Sequence, residues 1–229
     1  MSFVDLVAKI FDAVPMGKGL EAFGLQVEVD NSLEKPETIR QIRDLLGDCK
    51  RCKLCDGRKN IVFGAGKETA PDLMLIGEAP GEREDETGEP FVGKAGEMLD
   101  KMLENVLGLS RSDVYITNAV KCRPPENRNP EPEEVDACIQ FVKWQKEAVR
   151  PKAVVIFGRV AMEGIFKISG GVRANRTKWI DWEGTPTMIT YHPAYLLRNP
   201  EDKRKALEDL RLVSGLLKQE RAAPDQVSK

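Results

Sequence analysis

From Asp72 onward the chain alternates short apolar runs with segments of helical periodicity, and this alternation restricts its fold more than any other feature. Apolar runs fall at Leu73–Ile76, Val114–Ile116 and Ala153–Phe157. Two more strand patterns, Lys178–Trp182 and Thr187–Tyr191, flank a turn at Glu183-Gly184-Thr185. Helical patterns cover Gly96–Leu107, Glu131–Val149, Val160–Phe166 and about Glu201–Leu217. Strands separated by helices of this length pair in parallel through crossovers, so the expected fold is α/β, a parallel sheet with helices on both faces.

Ahead of that region the organisation changes. Phe3, Val4, Leu6, Val7, Ile10, Phe11 and Val14 recur at helical spacing, predicting an amphipathic helix, and Gly17, Gly19 and Gly24 then loosen the chain. A second helix is expected over Glu37–Leu46, ending at Gly47. Residues 1–35 therefore read as a helical extension and linker, 36–220 as the folded domain and 221–229 as a flexible tail. No run of 18 apolar residues occurs and the first segment lacks a signal-peptide cleavage pattern, so the expectation is a cytoplasmic protein with no membrane partner. The net charge of −2 argues against general nucleic-acid coating and leaves only local basic patches for that purpose.

In parallel sheets ligands sit beyond the carboxyl ends of the strands, so the residues that follow each strand carry the functional signal. Gly77-Glu78-Ala79-Pro80-Gly81 follows the first strand, then an acidic run and Pro90-Phe91-Val92-Gly93-Lys94-Ala95-Gly96. Thr117-Asn118 follows the second and leads into Cys122-Arg123-Pro124-Pro125. After the last comes His192-Pro193-Ala194-Tyr195-Leu196-Leu197-Arg198, which contains the chain's single histidine. A glycine-rich loop, a carboxylate, an aromatic ring, an amide and an imidazole thus converge on one edge.

The cysteines are a second signal. Cys49, Cys52 and Cys55 form a C-x2-C-x2-C run, and Cys122 and Cys138 lie far downstream. A close pair with two distant partners fits a metal or iron–sulfur site, and four thiolates suit zinc equally in geometry. Spacing alone does not choose between them.

Taken in order, these motifs resemble the uracil-DNA glycosylase superfamily, specifically its iron–sulfur branch, family 4, over roughly Cys49 to Leu217. The resemblance implies a three-layer α/β/α sandwich with a central, mainly parallel four-stranded sheet. It also implies a [4Fe-4S] cluster held by Cys49, Cys52, Cys122 and Cys138, since the family pattern requires no cysteine at position 55. The implied activity is monofunctional hydrolysis of the N-glycosidic bond of flipped-out deoxyuridine in uracil-containing DNA. A catalytically silent iron–sulfur DNA-binding protein on the same scaffold is the alternative, and an electron-transfer protein is disfavoured by the pocket motifs.

Within that resemblance each residue has an expected role. Gly77, Glu78, Ala79, Phe91, Asn118 and His192 are expected to contact the base, with Phe91 as its stacking surface. The Asn118 amide can donate to uracil O4 and accept from N3–H, a pattern that cytosine inverts. His192 is expected to donate toward the departing uracil oxygen O2, and Glu78 to orient the attacking water. Lys94, Arg123, Leu196, Leu197 and Arg198 are expected at the DNA, with a leucine as wedge. Lys121, Arg128, Arg173, Arg176 and Lys178 add candidate local positive charge, while Glu82, Glu84 and Asp85 are expected to face solvent. No lysine occupies a nucleophile's place in these motifs and no histidine lies in Ser169–Lys178, so neither strand cleavage nor a covalent adduct is expected. A monomer is the expected state.

Overall fold

A computed structural model describes residues 35–222. The helix expected over residues 1–14, the rest of the extension through residue 34 and the tail from residue 223 lie outside the described residues. The sheet has six strands in the order β1-β3-β2-β4-β6-β5. They are β1 (Ala65–Gly66), β2 (Leu73–Gly77), β3 (Val114–Asn118), β4 (Ala153–Phe157), β5 (Trp179–Trp182) and β6 (Thr185–Thr190). The four central strands are parallel, with Gly77 opposite Asn118 and Phe157 opposite Thr190. Antiparallel β1 and β5 close the two edges, so the expected four-stranded sheet is the parallel centre of a six-stranded mixed one. β1 is only two residues long, too short to leave a periodic signal.

Side chains alternate across the strands, which gives two apolar layers. Met74, Ile76, Tyr115, Val154, Ile156 and Ile189 pack with α1 (Ile39–Leu46), α4 (Pro132–Val149) and α5 (Arg159–Phe166). Leu73, Leu75, Val114, Ile116, Val155 and Met188 pack with α3 (Lys94–Met102) and α8 (Lys203–Ala222). Burial on both faces is why these strands read as continuous apolar runs.

Local chemistry sets the boundaries. Thr38 caps α1 through a reciprocal pair with Gln41, and Gly47 at φ 50° ends it. Pro132 opens α4 at a position where its missing N–H costs nothing. The helix expected over Gly96–Leu107 is α3 followed by a π-turn, Leu103–Leu107, stopped by Gly108 at φ 65°. Three short helices were not anticipated: α2 (Glu82–Thr87), α6 (Gly171–Asn175) and α7 (Pro193–Arg198). α8 continues to Ala222, beyond the expected end at Leu217.

Chain order reverses between β2 and its neighbours β3 and β4, placing the topological switch point beyond Gly77 and Phe157.

Candidate active site

A cavity of about 670 Å³ opens at that switch point, within the roughly 300–1,000 Å³ typical of ligand sites. Glu78, Ala79, Phe91, Asn118, His192 and Arg198 all line it. Gly77 lies directly beneath: a Cβ there would collide with Asn118 Oδ1 and the Phe91 ring, so only glycine lets the amide and the ring close over β2.

Phe91 adopts φ 56°, a left-handed conformation that costs a non-glycine residue about 1–3 kcal/mol and persists only where its surroundings enforce it. Two side chains do so here. The Arg111 guanidinium donates to the Pro90 and Phe91 carbonyls and pairs with Asp100 at 2.7 Å. The Glu84 carboxylate accepts the N–H groups of Val92 and Gly93 at 2.8 Å and of Gly81 at 3.0 Å, tying the first motif to the Phe91 loop. A Cβ on Gly96 would strike the Phe91 carbonyl. The ring lies against His192, with centroids 5.6 Å apart at 28°, and against Phe157 at 6.2 Å.

His192 caps α7. Its Nδ1 accepts the Ala194 N–H at 3.1 Å, so the neutral ring carries its proton on Nε2, which is buried and has no partner among the described residues. Burial, with Arg198 adding repulsion, pushes its pKa down to about 4. Asn118, 1% exposed at the end of β3, likewise has Oδ1 buried and unpaired. A donor and an acceptor therefore wait unsatisfied at one cavity. Burial of the Glu78 carboxyl raises its pKa, opposed by Arg159 and then Arg198.

Other expected residues lie elsewhere. Leu196 is fully buried in the layer of α3 and α8, which removes it from the expected DNA contact, whereas Leu197 is 43% exposed. Lys94 is exposed at the start of α3, and Arg123 pairs with Glu82 at 3.8 Å and Asn127 at 2.9 Å. Glu84 and Asp85, expected to face solvent, are buried, because Asp85 accepts the Lys59 N–H at 2.8 Å and Glu84 holds the loop described above. Lys121 and Arg176 are not surface cations: Lys121 is 1% exposed and Arg176 pairs with buried Asp209 at 2.9 Å.

Three contributors went unread in the sequence. Arg159 lines the cavity directly after β4, where the rule of reading strand ends applies as it does to β2, β3 and β6. Glu84 sits three residues after the cap Gly81, a spacing that signals a capping carboxylate. Arg111 had no local signal, because its partners meet only on folding.

The cysteines lie apart from Asn118 in the sequence or follow it closely, as Cys122 does. Cys49 follows the end of α1, Cys52 precedes a 3-10 turn, Cys122 follows β3 and Cys138 is on the buried face of α4. Cys122 feels the charges of Cys52 and Cys49, and Cys138 those of Cys122 and Cys49, so the four share one locality. Arg58 donates to Cys122 Sγ at 3.4 Å and Arg51 to Cys49 Sγ at 3.3 Å. Burial pushes the Cys138 thiol up to about 11, a cost that ligation as a thiolate offsets. Cys55 instead donates to Asp56 at 3.4 Å. Among the described residues, no group of three or more histidine, cysteine or acidic side chains is arranged to hold a single metal ion. Four soft sulfurs flanked by cationic donors nonetheless match the chemistry of an anionic iron–sulfur cluster.

The sequence profile of the uracil DNA glycosylase superfamily matches residues 63–211. The type-4 uracil-DNA glycosylase of Saccharolobus solfataricus is 42% identical over 79% of this chain and 87% of its own length. The type-4 enzyme of Thermotoga maritima is 40% identical over 81% of this chain and 98% of its own. The type-5 uracil-DNA glycosylase of Pyrobaculum aerophilum is 38% identical over 54% of this chain and 62% of its own.

Proposed function

The chain belongs to the uracil-DNA glycosylase superfamily, within its type-4 group, and on that premise we infer that it hydrolyses the N-glycosidic bond of deoxyuridine in DNA, leaving an abasic site for repair. The observation that carries the reading is the pair of buried, unpaired atoms at one cavity, Asn118 Oδ1 and His192 Nε2. An orphaned buried polar atom costs about 1–3 kcal/mol, which a ligand of matching pattern recovers. Uracil offers N3–H to Asn118 Oδ1 and O4 to its Nδ2, while its O2 accepts from His192.

A base inside the duplex is out of reach, so the nucleotide flips into the cavity and its ring lies on Phe91. As the glycosidic bond breaks, the bonding electrons leave with uracil and negative charge builds at O2. His192 Nε2–H stabilises that charge without transferring its proton, as its depressed pKa favours. Glu78 orients water toward the sugar carbon and accepts its proton, and the new C–O bond completes hydrolysis. Leu197 enters the space left by the base, with Arg198, Lys94 and Arg123 on the backbone. Gly77 and Ala79 supply the close backbone wall.

Cys49, Cys52, Cys122 and Cys138 would hold a [4Fe-4S] cluster, which supplies a structural cross-link between the Cys49–Cys52 segment, the end of β3 and α4. The domain is assigned to residues 36–220, acting as a cytoplasmic monomer. Among the described residues no helix is long and apolar enough to cross a membrane. Asn118→Ala tests the reading: excision from a uracil oligonucleotide should fall by at least two orders of magnitude with the brown absorbance retained. Unchanged excision would remove Asn118 as the reader.

A further inference from the structure

Among the buried ionisable side chains that the mechanism does not use is Lys121. Lys121 is sealed inside the domain, yet its ammonium meets only neutral acceptors among the described residues: Thr117 Oγ1 at 2.5 Å, the Asn118 carbonyl at 2.9 Å and Gln145 Oε1 at 2.7 Å. All three donors are satisfied, and each acceptor comes from a functional junction. Thr117 and Asn118 are the last residues of β3, and Gln145 lies on α4, the helix that carries Cys138. Gln145 also donates to the Phe63 carbonyl at 2.9 Å and Tyr115 Oη at 3.1 Å, so the network is anchored on both sides. Lys121 immediately precedes Cys122.

A buried ammonium with no counter-anion is expensive. Burial pushes the Lys121 amine down to about 7, opposed by Cys138 and then Cys122. Its amine therefore joins the strand end from which Asn118 projects to the helix that carries Cys138.

We propose that Lys121 is a positioning residue for base recognition: its ammonium fixes the Thr117–Asn118 strand end against Gln145 of α4, joining the uracil reader to the cysteine set. This rests on Asn118 being the reader. Asn118 must present its amide within a few tenths of an ångström, and a carbonyl held from behind restricts the backbone from which that side chain projects. A surface lysine, or one that only filled space, would not need three acceptors drawn from β3 and α4.

Lys121→Met keeps the length and removes the charge and donors. We expect normal iron content and cluster absorbance, a half-saturating DNA concentration within twofold of wild type, and a single-turnover excision rate at least tenfold lower. General destabilisation would instead lower the active fraction and leave the rate of the remaining active molecules unchanged. An iron-loaded Lys121→Met protein with a rate within twofold of wild type overturns the proposal. Should that variant fail to load iron, Gln145→Met decides, since it removes the α4 acceptor and leaves the lysine. An iron-loaded Gln145→Met protein with the same rate loss supports the proposal, and one at wild-type rate overturns it. Loss of iron in both variants also overturns it, assigning the network to folding alone. Asn118→Ala is measured alongside: a wild-type rate there defeats the reader assignment itself, whereas a slow Asn118→Ala with a normal Lys121→Met defeats only this inference.

Discussion

His192 concentrates the residue-scale argument. The Ala194 N–H fixes its tautomer, the cavity buries its free nitrogen and its pKa lies near 4, so a neutral ring donates at any physiological pH. The sign of the stability effect follows. The unfolded ring binds a proton below its ordinary pKa of 6.5, and the folded ring does so only below about 4. Stability should therefore fall as pH drops from about 6.5 toward 4, and His192→Asn should lose that part of the slope in pH-dependent urea melts. An identical slope in both proteins would contradict the buried, neutral histidine. Glu78 has a raised pKa and must be ionised to accept a proton, so the excision rate should also decline on the acid side. The sequence placed this histidine in its motif, but tautomer and charge come from a backbone donor and from burial, neither of which is visible in the order of residues.

At the scale of elements, α7 is the instructive case. Pro193 and Pro200 bracket a segment of loop-like composition, but Pro193 occupies the first helical position and His192 caps it, so Pro193–Arg198 is helical. The helix turns Leu196 inward and Leu197 outward, a division that adjacent identical residues do not reveal. Leu196→Ala should cost about 2–5 kcal/mol of folding free energy in chemical denaturation. Leu197→Ala should leave stability within about 0.5 kcal/mol. It should also slow excision more from duplex than from single-stranded substrate, because only the duplex leaves a gap to fill. Equal effects on the two substrates would remove Leu197 from the wedge role. The acidic run after Gly81 has a similar lesson: its composition resembles a solvated segment, while Glu84 turns inward because three N–H groups of two loops require an acceptor.

Over the whole molecule, the parallel centre of the sheet was legible because doubly buried strands leave unbroken apolar runs. Of its antiparallel edges, β5 was legible as the run Lys178–Trp182, whereas β1, only two residues long, left no periodic signal. The site was legible in chemistry and illegible in support. Glu78, Phe91, Asn118 and His192 stand in motifs, whereas Arg111 reaches Pro90 and Phe91, and Lys121 reaches Gln145 of α4, across stretches of chain that only the fold brings together. The resulting architecture places the cavity lined by Glu78, Phe91, Asn118 and His192 at one end of the sheet. The most direct test is incubation of the purified protein with oligonucleotides carrying uracil in single strands, opposite guanine and opposite adenine, each analysed with and without alkali. The account predicts alkali-dependent cleavage at the uracil position alone, with no scission before alkali and no denaturation-resistant protein–DNA complex. Intact DNA on all three substrates after alkali would contradict it.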